Sequence, residues 1–317
     1  MIEKFRSKVL PPAACRLGIV LAAALLLAGC AKQAPYTEPD YSVAGTRDST
    51  PRVLLPKRDG TGLLGSSDVS LDLSHSADGY FSASYTGDSG KVKLQVTNEQ
   101  QVTYTYNLPT DGSWSVFPFS SGDGAYTIGV YSNIKDTMYS TVYSTDVSVR
   151  LSDAFGPFLY PNQYVWFTKD TKAVQTGAMV CHPCSSDLEA ISNVFDYVVH
   201  HVSYDWDEAK TVQSDYLPDV DEVLDTGKGI CFDYAALMAC MLRSQGIPTR
   251  MEIGYAGTAY HAWITTYVAE IGWVDGIIRF DGTDWSLMDP TLASSESRSK
   301  YESFIQSSDN YRVCYSY

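Results

Sequence analysis

The stretch Gly229-Ile230-Cys231-Phe232-Asp233-Tyr234-Ala235-Ala236-Leu237, running on to Leu242-Arg243-Ser244-Gln245-Gly246-Ile247-Pro248, decides how the C-terminal half folds. Ala235, Met238 and Leu242 fall at helical spacing, so a helix is expected from near Cys231 to a stop at Gly246 ahead of Ile247-Pro248. Cys231 then stands at a helix start, where unpaired N–H groups and the positive dipole end favour a thiolate. Gly229 lets the chain turn sharply enough for the sulfur to face a cleft. Upstream, Ser186-Asp187-Leu188-Glu189 is a capping box, followed by Leu188, Ile191, Phe195, Val198, Val199 and Val202 on one helical face. Downstream the period falls to two, over Met251 to Tyr255, Tyr260 to Val268, and shorter runs near Trp273 to Phe280 and Trp285 to Met288. Helices followed by antiparallel strands make residues 156–317 an α+β domain.

Towards the N-terminus the pattern is different. From Val69 to Leu151 apolar residues alternate in short runs, as in Phe81/Ala83/Tyr85, Val92/Leu94/Val96, Tyr104/Tyr106 and Tyr126/Ile128/Val130, with Gly- and Asp-rich turns between them. Seven or eight such runs predict a β-sandwich of immunoglobulin-like type over 67–155, without the inter-sheet disulfide because the region has no Cys. Residues 30–66 carry Pro35, Pro39, Pro51 and Pro56 among Ser, Thr and Gly and read as a flexible tether.

Lys4, Arg6, Lys8 and Arg16 precede an apolar run from Leu17 to Gly29, too short for a bilayer span and typical of a signal peptide over 1–29. Leu27-Ala28-Gly29-Cys30 resembles the lipobox of bacterial lipoproteins, which implies a lipid on Cys30 and an extracytoplasmic, membrane-anchored protein. The net charge of the chain is −14, and removal of 1–29 takes away four basic residues and Glu3 to leave 19 against 36, or −17. Such a field repels phosphate backbones, so nucleic acid is excluded as a partner.

The chemistry rests on three segments. Tyr260-His261-Ala262-Trp263 lies on an expected strand and Trp285-Ser286-Leu287-Met288-Asp289-Pro290-Thr291 closes another. A thiol nucleophile needs a base for its proton, and the base needs an anion to fix its tautomer, so Cys231, His261 and Asp289 form a sufficient set. Together the segments resemble the bacterial transglutaminase-like superfamily over roughly residues 187–292. The resemblance implies a papain-like core with Cys231 as nucleophile, His261 as base and Asp289 as orienting acid. Asp275, Asp281 and Asp284 compete with Asp289 but sit in turn-like contexts. The Cys231 amide can supply one oxyanion donor. Tyr204, in the family-like Val202-Ser203-Tyr204-Asp205 segment, is favoured over Trp206 for the other. Asp233 reads equally as a supporting residue of the site or as a first-turn helix acid.

No cofactor or metal is expected. Cys181-His182-Pro183-Cys184 lacks the βαβ surroundings of a redox motif, and Asp215 to Glu222 lacks EF-hand spacing and reads as a solvated acidic loop. His75, His200 and His201 are expected to be structural. Setting aside Cys15, Cys30 and Cys231 leaves four cysteines, with Cys181–Cys184 and Cys240–Cys314 the favoured disulfides of three possible pairings. Cys231 is expected to be ionised by pairing with His261. The function expected is a lipid-anchored thiol enzyme acting on a peptide or protein substrate, cleaving peptide or glutamine amides through a thioester. The alternatives are an inactive cell-surface binding or adhesion lipoprotein and a cross-linking transglutaminase.

Overall fold

The computed structural model describes residues 37–256, 259–269, 271–274, 278–280, 285–287 and 311–317. The signal region 1–29, Cys30, Asp289 and the competing Asp275, Asp281 and Asp284 lie outside them. The chain divides into two units, Met1–Glu38 and Pro39–Tyr317, and every element below belongs to the second.

Eight strands come first: β1 (Leu63–Gly65), β2 (Val69–Asp72), β3 (Tyr80–Tyr85), β4 (Val92–Asn98), β5 (Thr103–Leu108), β6 (Ser115–Pro118), β7 (Gly124–Lys135) and β8 (Met138–Val149). They pair antiparallel into two four-stranded sheets, ordered β1-β2-β3-β6 and β5-β4-β7-β8. The alternation seen in the sequence is one of burial, with Val92, Leu94 and Val96 of β4 inside and the residues between them half-exposed. Aromatic rings join the two sheets: Tyr106 of β5 lies 4.8 Å from Phe117 of β6, and Tyr126 of β7 lies 4.9 Å from Phe119. β8 starts well before the Val147 to Leu151 run that marked it, because its first half is exposed on both faces and so shows no alternation.

The second part comprises α1 (Lys172–Cys181), α2 (Asp187–His201), β9 (Ser203–Tyr204), α3 (Trp206–Thr211), α4 (Val220–Thr226), β10 (Lys228–Gly229), α5 (Cys231–Ser244), β11 (Thr249–Ala256), β12 (Ala259–Val268), β13 (Gly272–Val274), β14 (Ile278–Phe280), β15 (Trp285–Leu287) and β16 (Tyr311–Ser316). An antiparallel sheet, β13-β12-β11-β16, supports α5, which is buried continuously from Asp233 to Ser244 between that sheet and α1, α2 and α4. Ser186 Oγ accepts from Glu189 N at 3.2 Å as the capping box requires, while Glu189 reaches back one residue further than expected, to Ser185 N. His200 and His201 close α2. The acidic stretch is in part helix: Asp219 accepts from the amides of Asp221 and Glu222 to start α4, and Asp221 accepts from Lys172 N and Ala173 N to start α1. These acids cap orphan amides rather than facing water.

Three further expectations are corrected. The tether is, from Gly45 to Arg52, a strap laid across the helices. Gly45 N donates to His182 O, Arg47 N to Cys184 O and Arg52 N to Ser244 O, and the Arg47 guanidinium bonds Asp187, Gln245 Oε1 and Gln245 O. A Pro-, Ser- and Gly-rich segment suits an extended strap as well as a loose one, since neither builds secondary structure of its own. Gly45 in particular has no Cβ because one there would lie 2.0 Å from Cys184 O. The two disulfides are absent: Cys181, Cys184, Cys240 and Cys314 are free thiols. Cys240 is sealed in the helical core on α5, whereas the Cys314 sulfur lies along its own strand, 4.0 Å from Arg312 O. Cys181 ends α1 rather than preceding a helix, and Cys184 accepts from Asn193 Nδ2 at 3.2 Å.

The two parts are joined by tyrosines. Tyr104 and Tyr106 of β5 meet Tyr317 at 5.5 and 5.8 Å between ring centroids, Tyr104 meets Tyr315 at 5.5 Å, and Tyr164 meets Tyr317 at 4.7 Å.

Candidate active site

The site begins with a short parallel pairing. β10 runs beside β9 with Gly229 opposite Tyr204, and Asp205 N donates to Gly229 O at 2.9 Å, so Tyr204 and the residues after Gly229 emerge on the same side. Gly229 must lack a side chain, because a Cβ there would lie 2.7 Å from the Cβ of Asp233. Asp233 is fully buried one turn into α5. Its Oδ2 accepts from Ile230 N at 2.8 Å, closing the reverse half of a capping box, and its Oδ1 accepts from the Tyr216 hydroxyl at 2.7 Å. Both readings of Asp233 therefore hold. It is a first-turn acid, and it also ties the helix start to the loop that carries Tyr216.

Cys231 is the first residue of α5. Its thiol faces the main-chain N–H of Ala262 on β12 and the hydroxyl of Tyr204. His261, next to Ala262, sits on β12 opposite Gly254 of β11. Cys231, His261, Ala262 and Tyr204 line one cavity of about 350 Å³. Two of the three residues proposed for proton and acyl transfer are thus brought together, with Tyr204 beside them. Trp206, the other candidate oxyanion donor, is 53 % exposed and rests tilted against Tyr204, ring centroids 4.6 Å apart, outside the lining.

The electrostatics depart from the expected ion pair. Burial pushes the Cys231 thiol up, and the N–H and O–H groups of Ala262, Tyr204 and Phe232 only partly oppose it. Burial pushes His261 down to about 4, leaving the imidazole neutral at neutral pH. The resting arrangement is a neutral thiol beside a neutral base, because desolvation outweighs the helix dipole. Tyr204 is pushed up to about 12, by burial first and then by its Cys231 neighbour, so its phenol stays a hydrogen-bond donor.

Sequence reasoning missed Asn107, Tyr164 and Tyr216, which also line the cavity. Asn107 is an ordinary outward-facing polar position on β5, Tyr164 follows the sandwich in an irregular segment, and Tyr216 lies inside the acidic stretch. No periodic signal marks any of them.

Residues 175–276 match the family model of the transglutaminase-like superfamily. The match begins in α1 and includes Cys231 and His261, but ends before Asp289. No curated protein matches the chain. Among solved structures, a protein provisionally named a cysteine protease from Cytophaga hutchinsonii is 17% identical with a TM-score of 0.35, over 62% of this chain and 77% of the other. The periplasmic domain of TgpA from Pseudomonas aeruginosa is 15% identical with a TM-score of 0.31, over 78% and 80%. The transglutaminase of red sea bream is 11% identical with a TM-score of 0.28, over 67% and 48%. Residues 175–276 are a transglutaminase-like domain of mixed α and β structure.

Proposed function

We propose that this chain is a thiol enzyme that cleaves peptide or glutamine amide bonds through a Cys231 thioester, outside the cytoplasm and anchored by a lipid on Cys30. The reading is carried by the convergence of Cys231, His261 and Tyr204 on one cavity at the start of α5. The sulfur attacks the carbonyl carbon as neutral His261 takes the thiol proton. The Cys231 amide and the Tyr204 hydroxyl meet the oxyanion. Collapse of the intermediate breaks the C–N bond, and ammonia or an amine leaves with the proton from His261. Water, deprotonated by the same imidazole, then attacks the thioester, releasing the acid and restoring the thiol. Asp289 is assigned as the orienting acid on its D-P-T segment. We read the two N-terminal sheets, β2-β3-β6 with β1 and β5-β4-β7-β8, as an immunoglobulin-like sandwich from their strand order.

Water is preferred over an amine acceptor because transfer needs a site that binds the amine and keeps the far more abundant solvent out. The test is to incubate the protein with glutamine-containing peptides and excess alkylamine and to follow masses. Cleaved or deamidated peptide, lost in Cys231→Ala, is the expected outcome. A dominant amine adduct would make the protein a cross-linking transglutaminase, and no Cys231-dependent product would favour a binding lipoprotein. A Cys30→Ala variant should leave the membrane fraction; its retention there would remove the anchor.

A further inference from the structure

β5 is an edge strand of its sheet, and its outer side faces the thiol site. Asn107, opposite Lys93 of β4, spends its polar groups on three neighbours. Its Oδ1 accepts from Lys93 Nζ, its main-chain oxygen accepts from Gln163 Nε2 at 2.8 Å, and its Nδ2 donates to Ser214 O at 3.1 Å. Ser214 lies in the loop 212–216, which lines the cavity, and the end of that loop is held by the Tyr216 hydroxyl on Asp233. One wall of the cleft is thus fixed at two points, one on the sandwich and one on the helix that carries Cys231.

The cavity so enclosed carries no charge at neutral pH. None of its lining residues is Lys, Arg, Asp or Glu. Burial holds His261 neutral, and the phenols of Tyr164, Tyr204 and Tyr216 are all pushed up. Aromatic faces dominate: Tyr164 meets Phe232 at 5.3 Å, Tyr216 meets Phe232 at 6.4 Å, and Tyr260 at the mouth is 60 % exposed. A charged side chain entering this space would lose its water and find no ion to pair with, whereas an aromatic or aliphatic one would gain.

We propose that Asn107 of the sandwich is a specificity-determining residue of the thiol cleft, fixing the loop 212–216 as one wall of a pocket for peptide donors whose acyl-side residue is aromatic or branched aliphatic. This rests on the functional reading above, so its test separates binding from turnover. The Cys231→Ala protein is titrated with four peptides that differ only in the acyl-side residue, Phe, Leu, Lys or Glu. Phe and Leu peptides bind about a hundredfold more tightly than Lys and Glu peptides. Adding Asn107→Ala weakens Phe and Leu binding about tenfold, as for a lost hydrogen bond with a loosened wall. Tyr216→Phe, which frees the other end of the loop, acts in the same direction and carries the test should Asn107→Ala fail to fold. Gln95→Ala, on the neighbouring strand, leaves binding unchanged. With Cys231 intact, Asn107→Ala raises KM more than it lowers kcat. Equal affinity for all four peptides, preference for a charged one, or wild-type affinity in both loop variants overturns the proposal. Retained binding order with no Cys231-dependent turnover overturns the enzymatic reading alone.

Discussion

At the scale of single residues, Cys231 is caught between a helix start that favours its anion and a burial that opposes it, and burial prevails. The thiolate therefore accumulates only as the pH rises through a value above the ordinary one. Iodoacetamide should label Cys231 at a rate that climbs steadily from about pH 6 to about pH 9. A plateau at acidic pH, the signature of an ion pair, would contradict the neutral resting state. His261 takes up a proton only as the pH falls through about 4, so the acid limb of kcat/KM should lie there; a limb at 6.5 would reveal a solvated imidazole. Asp233 serves the same site by structure. Asp233→Ala leaves Ile230 N and the Tyr216 hydroxyl without their acceptor and should cost about 1–3 kcal/mol in urea unfolding, with Asp233→Asn losing less.

At the scale of elements, the strap and the small helices show where sequence reading succeeds and where it stops. Helix α5 and strands β11 and β12 were legible because their faces repeat and because the segments around Cys231 and His261 have a recognisable order. α1 was not, since Gly177 on it packs within 3.2 Å of Met241 and its small residues show no stripe. α4 has only seven residues and is started by an acid that looks solvated in one dimension. Asn107 and Tyr216 act through partners far away in sequence, Ser214 and Asp233, which local pattern cannot register. The strap invites its own test. Gly45→Ala places a methyl against Cys184 O, and Arg47→Ala removes the bonds to Asp187 and Gln245. Each variant should lose about 1–3 kcal/mol, and limited proteolysis between residues 45 and 52 should accelerate; unchanged cleavage would mean that the strap is not held.

At the scale of the whole molecule, the tyrosines between β5 and β16 make the sandwich and the transglutaminase-like domain parts of one unit. Calorimetry should therefore show a single transition. Tyr106→Ala, emptying a fully buried position shared by Phe117, Tyr164 and Tyr317, should destabilise that transition by about 3–5 kcal/mol rather than split it. Two separated transitions would show that the parts fold independently. The strap also sets a leash. A lipid on Cys30 would be followed by fifteen residues before Gly45 makes the first bond to the helices, and a fully drawn chain of that length spans about 50 Å. Were the tether free to residue 66, the radius would be more than double. A body held on so short a line patrols a thin layer of space above its membrane, and the carbonyls it reaches are those presented within that layer.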